Sequence, residues 1–125
     1  MARFLLDSSI IIHMLNGTDA GRAAVKFVSA GELVTSIICY CEVLNEANLD
    51  KQAQAEGFLS KLLIFQVTLE DGKTAKGFQD SCRKSGKFVP STDCLIAATA
   101  ANNNAMVVAS DPDFERISGV EKKIF

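Results

Sequence analysis

The stretch RFLLDSSIII, from Arg3 to Ile12, places an aspartate, Asp7, between two apolar runs. The run before Asp7 is typical of a short buried strand, and the run after it is typical of a helix. A carboxylate between two segments that are both buried costs several kcal/mol unless a partner or a metal ion compensates its charge. The stretch therefore predicts a strand that leads directly into a helix, with an acidic group that needs a partner at the junction.

The rest of the chain continues this alternation of strand and helix. Strands are predicted at residues 4–6, 33–35, 64–68 and 106–109, with a last edge strand within 120–125. Helices are predicted at residues 8–15, 19–29 (capped by Asp19), 36–46, 50–63, 70–83 and 93–101, with a short one around Phe114. Strands separated by helices predict a three-layer α/β/α sandwich with a short, mostly parallel central sheet. No linker or repeat interrupts the pattern, so residues 1–125 are expected to form one domain.

Composition narrows the class of protein. Of the 125 residues, 48% are hydrophobic and 22% are charged, which excludes a disordered or fibrous chain. No apolar run approaches the roughly 18 residues that span a bilayer, and the N-terminus lacks the features of a secretory signal. The four cysteines contain no CxxC pair, so we expect buried free thiols in a reducing cytoplasm. The positive mean hydropathy suggests that a partner covers an apolar surface.

The net charge of −2 provides no global attraction for nucleic acid. A local group of basic residues forms either a solvated face or a strip that tracks an RNA backbone. It comprises Lys73, Lys76, Arg83, Lys84 and Lys87.

Acidic residues follow the predicted strands at several points. Ligands of parallel sheets bind outside the carboxyl ends of the strands, where Asp7 and Asp111 are placed. Asp93 lies in the first turn of the alanine-rich helix, and Glu42 lies two turns into the helix after the second strand. Converging carboxylates repel one another and raise each other's pKa. Mg²⁺ or Mn²⁺ relieves that repulsion, prefers oxygen ligands and supports phosphodiester cleavage.

Four segments together resemble the motif regions of PIN domains, in order and approximate spacing: LLDSSIIIHML, TSIICYCEVLNE, STDCLIAATA and VVASDPDFERI. Length and motif wording are most similar to the VapC-type toxins of type II toxin–antitoxin systems. The resemblance implies a PIN-like fold and a Mg²⁺- or Mn²⁺-dependent endoribonuclease that cleaves tRNA or rRNA and inhibits translation. It also implies a homodimer and a cognate antitoxin.

The resemblance also implies roles for individual residues. Asp7, Glu42, Asp93 and Asp111 would line the metal site and carry catalysis. Ser9, two residues after Asp7, would orient a carboxylate or a water molecule, and Asp113 would be an outer acid. The fourth region of the family often reads Thr-Asn-Asp, whereas this chain has Ala109-Ser110-Asp111. Any role of the threonine hydroxyl must therefore pass to Ser110 or be absent.

Each of these residues also has a purely structural interpretation. Asp7 could cap its helix, Asp93 could stabilise a first turn, and Asp111 with Pro112 could open a turn. Glu42 could be a solvated helix residue. Glu46 is either an additional acid or a surface residue, and His13 is expected to be a packing or interface residue.

Two other functions compete with the nuclease. Phosphotransfer on an aspartate would need a second aspartate where Ser9 stands, or the lysine of a receiver domain, and neither is evident. A PIN-like module could instead bind RNA or protein without cleavage. An idle cluster of carboxylates would destabilise such a module, which favours the nuclease.

Overall fold

Five strands form one sheet in which every neighbouring pair runs parallel, in the order β3-β2-β1-β4-β5. The computed structural model describes residues 1–125. The strands are β1 (Arg3–Leu6), β2 (Glu32–Ser36), β3 (Leu63–Phe65), β4 (Met106–Ala109) and β5 (Lys122–Ile124). The prediction of a mostly parallel sheet is confirmed, and the edge strand near the C-terminus is present as β5.

Six α-helices connect the strands: α1 (Ser8–Asn16), α2 (Asp19–Val28), α3 (Ile37–Glu46), α4 (Gln52–Leu59), α5 (Leu69–Lys84) and α6 (Ser91–Asn102). Short 3-10 helices occupy Leu49–Lys51 and Pro112–Arg116. None of the helices is both long enough and apolar enough to span a membrane.

Alternate residues of the central strands enter two separate cores, one on each face of the sheet. Leu5 and Val107 pack with apolar residues of α5 and α6, while Leu6 and Val108 pack with those of α1, α2 and α4. Because side chains alternate across a strand, β1 and β4 are buried on both faces. This arrangement is the predicted α/β/α sandwich.

Two predicted boundaries near helices are wrong. The cap of α2 is Thr18, whose Oγ1 accepts a hydrogen bond from the Gly21 backbone at 3.1 Å, and Asp19 lies in the first turn. The helix predicted at 50–63 ends at Leu59, because Leu63 pairs with Val34 as the first residue of β3. Pairing within the sheet outweighs the helical spacing of the apolar residues at this point.

The third strand is also shorter than predicted and ends at Phe65. Thr68 instead begins α5 with a capping box, in which its hydroxyl accepts from the Asp71 backbone and the Asp71 carboxylate accepts from the Thr68 backbone. The cysteines are all free, but only Cys39, Cys82 and Cys94 are buried, while Cys41 is exposed. The expectation of buried thiols is therefore wrong for Cys41.

Candidate metal centre

The carboxyl ends of the strands open into a pocket of about 380 Å³. Its walls come from the junction of β1 with α1, from α3, from the start of α6 and from the loop after β4. No lysine or arginine lines it, and it holds a single apolar residue. The lining residues are Asp7, Ser8, Ser9, Ile12, His13, Glu42, Glu46, Asp93, Ser110 and Asp111.

Asp7 lies at the bottom of this pocket, with only 3% of its surface exposed. Its Oδ2 accepts hydrogen bonds from the Ser9 backbone at 3.1 Å and from Ser9 Oγ at 2.5 Å, so it caps α1 while facing the pocket. Its Oδ1 accepts from the thiol of Cys39 at 3.6 Å. Burial raises the pKa of the Asp7 carboxyl, and the charge of Asp111 raises it further, against the opposing effect of the Ser9 and Cys39 hydrogen bonds.

Asp93 enters the pocket from the first turn of α6 and is 9% exposed. Burial, followed by the negative charges of Asp111 and Asp7, raises its pKa to about 7. One carboxylate oxygen from each of Asp93, Asp111 and Asp113 lies within 4.8 Å of the other two. The start of α6 has no side-chain cap, so the Asp93 carboxylate does not serve as one.

Glu42 enters the pocket from α3. Its Oε1 accepts a hydrogen bond from Ser8 Oγ at 3.0 Å. Burial raises its pKa, and so do the charges of Asp7, Glu46 and Asp111. Ligand atoms of Asp7, Cys39 and Glu42 form a second group within 4.8 Å of one another.

The loop after β4 is tied to α1 by a serine. The backbone N–H of Ser110 donates to Ser9 Oγ at 3.0 Å. Asp111 Oδ1 accepts from the Asp113 backbone at 2.9 Å and so also opens the 3-10 turn, as its structural interpretation predicts. Asp113 lies beside Asp93 and Asp111 but forms an ion pair with Arg116 at 3.5 Å.

The structure thus brings all the predicted site residues to one end of the sheet. Five further residues reach the pocket or its acids: Ser8, Ile12, His13, Cys39 and Glu46. The His13 side chain lines the pocket. Its Nδ1 also lies 2.7 Å from Oγ1 of Thr18, the cap of α2. Glu46 is exposed at the rim, one turn from Glu42, and that spacing on one helix face is the sequence signal for it.

Five carboxylates line the pocket, and no lysine or arginine among its lining residues balances them. Carboxylate and hydroxyl oxygens are the donors that hard divalent cations prefer. The donor set therefore fits Mg²⁺ or Mn²⁺. Such an ion would stabilise the charged form of Asp7, Glu42 and Asp93, whose pKa values are raised first by burial and then by neighbouring carboxylates.

Comparison with known proteins identifies the family. The PIN domain model matches residues 4–120, so the chain belongs to the PIN domain family. No curated protein matches the sequence with significant similarity.

Several solved structures share the fold at low sequence identity. A chain of the DNA-bound VapBC complex from Salmonella typhimurium is 24% identical, with a TM-score of 0.80 over 99% of this chain and 98% of that chain. For VapBC2 from Rickettsia felis, bound to a DNA fragment from its promoter, identity is 20% and the TM-score 0.78, with 98% of each chain covered. VapC20 from Mycobacterium tuberculosis, a sarcin–ricin loop cleaving toxin, is 18% identical, with a TM-score of 0.70 over 96% of this chain and 98% of that chain.

Proposed function

We propose that this PIN domain protein is a Mg²⁺- or Mn²⁺-dependent endoribonuclease and acts as the toxin of a toxin–antitoxin pair. The observation that carries the proposal is the convergence of Asp7, Glu42, Asp93 and Asp111, from four separate segments, in one open pocket without lysine or arginine. Like charges in such proximity destabilise a fold, so their presence favours a function that needs them.

Asp7, Asp93, Asp111 and Glu42 would hold the ion, with Asp113 as an outer acid. A bound divalent cation would supply positive charge for the negative charge that develops on a phosphodiester during its cleavage. The hydroxyl of Ser9 holds the Asp7 carboxylate in a fixed orientation, and that of Ser8 does the same for Glu42. Ser110 lines the pocket beside Asp111, at the position where the family often has asparagine, and any role of the missing threonine hydroxyl would pass to it.

The chain's own residues also offer a route for the proton of the attacking water. Glu42 and Glu46 lie on one face of α3, with Glu46 exposed at the rim of the pocket. Glu42 is one of the proposed ligands, so we assign the role of accepting that proton to Glu46, which is not. The Ser8 hydroxyl holds the Glu42 carboxylate in place on α3.

An antitoxin would occupy a groove of about 130 Å³ that adjoins the acidic pocket. The groove is formed by α1, α3 and α4, and Ile12 and Glu46 belong to both cavities. Its apolar residues are Ile12, Leu15, Val43, Ala47 and Ala55. An antitoxin segment in this groove could extend a basic or apolar side chain toward the carboxylates. The fold shared with chains of VapBC complexes supports such a partner. Separately, we expect the free toxin to be a homodimer.

The test is RNA cleavage by protein freed of antitoxin through denaturation and refolding. The purified chain is incubated with tRNA or rRNA in Mn²⁺ or Mg²⁺, beside EDTA, Asp93→Asn and Asp50→Asn controls. Asp50 is an exposed aspartate outside the pocket. Discrete RNA fragments that disappear with EDTA and with Asp93→Asn, and persist with Asp50→Asn, would support the proposal. Cleavage of rRNA would parallel the activity of VapC20. Absence of cleavage by folded, Mn²⁺-binding protein would favour a PIN-fold binding module.

A further inference from the structure

The loop between α5 and α6 presents an aromatic ring to solvent. Phe88 is 77% exposed, whereas its neighbour Val89 is buried. A single exposed apolar residue is ordinary on a protein surface, so exposure alone assigns no role to Phe88. Its surroundings distinguish it, since Arg83 and Lys87 line the same shallow depression as the ring, and both cations are exposed.

Hydrogen bonds fix the backbone that leads into Phe88. The N–H of Gly86 donates to the Arg83 carbonyl at 2.9 Å, and the N–H of Lys87 donates to the Cys82 carbonyl at 2.8 Å. Gly86 has φ +71°, a left-handed conformation that glycine adopts without strain. The ring is therefore carried by an ordered turn, so ligand binding there requires little ordering of the backbone.

Arg116 connects this turn to the acidic pocket. Its Nη1 donates to the Phe88 carbonyl at 3.0 Å and lies 3.5 Å from Asp113 Oδ1. Asp113 in turn lies beside Asp93 and Asp111. One guanidinium nitrogen thus bridges the backbone of Phe88 and an acid at the edge of the proposed metal centre.

The charge distribution of the chain favours a cationic contact for RNA outside the acidic pocket itself. The net charge is −2, and the pocket is lined by carboxylates without lysine or arginine. An RNA backbone therefore gains no attraction from the pocket's own side chains, and its phosphates need positive groups nearby. Arg83 and Lys87 provide such groups next to an exposed ring, the combination by which proteins bind single strands.

We propose that Arg83, Lys87 and Phe88, here called the Phe88 surface, bind single-stranded RNA next to the acidic pocket. The Phe88 ring stacks on one base, and the two cations contact flanking phosphates. This inference rests on the proposed ribonuclease function, and it defines the substrate as unpaired RNA because a base inside a duplex cannot stack on a side chain.

The test measures binding separately from cleavage. A fluorescein-labelled single-stranded RNA of roughly 12 nucleotides and mixed sequence is titrated with the full chain in EDTA, and anisotropy is recorded. Phe88→Ala and Phe88→Leu are expected to weaken binding by about 5- to 100-fold, whereas Phe88→Trp retains it. Leu69→Ala, at a position with 78% exposure at the start of α5, is the matched control and should bind within about twofold of wild type.

The salt dependence tests the cations. Lys87→Gln should weaken binding and reduce the slope of log K against log salt by about 0.7, the value for one phosphate contact on a single strand. A fully paired hairpin of the same length should bind more weakly than the single strand and respond little to Phe88→Ala. Circular dichroism and thermal melting verify that each variant is folded.

Several results would overturn the inference. They are undetectable RNA binding by the wild-type chain, wild-type affinity in Phe88→Ala, or wild-type affinity in Phe88→Leu. A changed molecular mass of Phe88→Ala in solution, with RNA affinity intact, would make this surface a protein contact and would also overturn it.

The outcome is separable from the test of the proposed function. Metal-dependent cleavage by wild type, with an unchanged KM in Phe88→Ala, would refute the Phe88 surface and leave the nuclease in place. RNA binding that depends on the Phe88 ring, without any RNA cleavage, would refute the proposed nuclease activity and support the Phe88 surface.

Discussion

Ser9 Oγ donates a hydrogen bond to Asp7 Oδ2 at 2.5 Å and accepts one from the backbone N–H of Ser110 at 3.0 Å. One hydroxyl thereby joins the β1–α1 junction to the loop after β4, two of the segments that bring carboxylates into the pocket. The orientation of Asp7 is fixed by this contact together with the Ser9 backbone N–H. We propose that Ser9 is a positioning residue, which acts through Asp7.

Replacing Ser9 by alanine tests that role. Ser9→Ala leaves the Ser110 N–H without its acceptor and Asp7 with one donor fewer, so the free energy of unfolding should fall by about 1 kcal/mol. Cleavage should fall more than stability explains, because Asp7 loses its fixed orientation. Urea unfolding and initial cleavage rates provide the two measurements. Ser60→Ala, which removes an exposed hydroxyl bonded only to the Gly57 carbonyl, is the control; equal behaviour of the two variants would contradict this role.

Asp93→Asn separates stability from function. The amide has nearly the same shape but no charge, so it relieves the repulsion from Asp111 and Asp7 that helps to raise the pKa of Asp93. Metal-free protein should therefore gain about 1–3 kcal/mol of unfolding free energy at pH 8, while cleavage falls at least about 100-fold. Thermal melts in EDTA and cleavage assays provide the measurements. A less stable variant with full activity would make Asp93 a purely structural residue.

The same carboxyl predicts how stability depends on pH without metal. The pKa of Asp93 rises from its ordinary value of 3.8 to about 7, and those of Asp7 and Glu42 are also raised. The folded chain therefore holds protons that the unfolded chain releases. The stabilisation from Asp93 is fully present below about pH 4 and is lost as the pH rises through about 7.

Urea unfolding in EDTA at pH 5 and pH 8 measures this effect. Wild type should be less stable at the higher pH, and the difference should shrink in Asp93→Asn. An undiminished difference in that variant would assign the pH dependence to other groups.

Asp71 has a lowered pKa. Burial raises this pKa, but hydrogen bonds from Thr68, Asn102 and Thr99 outweigh that effect, so the ionisation of Asp71 affects stability only at more acidic pH.

Thiol reactivity tests the packing around Asp7. Burial, and then the charge of Asp7, raises the pKa of Cys39 to about 12, and burial raises that of Cys94 to about 11. Because the thiolate is the reactive form, both should resist a disulfide reagent in the folded chain. Cys41 is the one exposed thiol and should react first. In denaturant, the three buried thiols of Cys39, Cys82 and Cys94 should react as well. A fast-reacting thiol that persists in folded Cys41→Ser would contradict this packing.

The fold was largely predictable because β1 and β4 are buried on both faces and because strands alternate with helices along the chain. The bounds of β4 agree with the prediction, and those of β1 and β2 differ by one residue at each extended end. The region from 50 to 68 was not predictable, since a three-residue strand is too short to show a period of its own. There, Leu62 and Leu63 continue the apolar spacing of α4, and only pairing with β2 separates Leu63 from the helix.

The acidic residues of the site were predictable from their positions after strands and at a helix start, where parallel topology brings them together. Ser8 and Cys39 were not, because small neutral residues at the start of a helix are ordinary. Their contacts with Glu42 and Asp7 depend on the distance between α1 and α3, which only the folded chain defines. His13 similarly shows its place at the pocket only through the packing of α1.

The carboxylates of the acidic pocket are proposed to hold a catalytic divalent cation. The most direct measurement is Mn²⁺ binding, followed by electron paramagnetic resonance, in the same samples in which RNA cleavage is recorded. We predict that wild type and Asp50→Asn bind Mn²⁺, that Asp93→Asn loses this binding, and that cleavage appears over the Mn²⁺ concentrations that fill the site. Mn²⁺ binding unchanged by Asp93→Asn, or RNA cleavage undiminished in EDTA, would contradict the account.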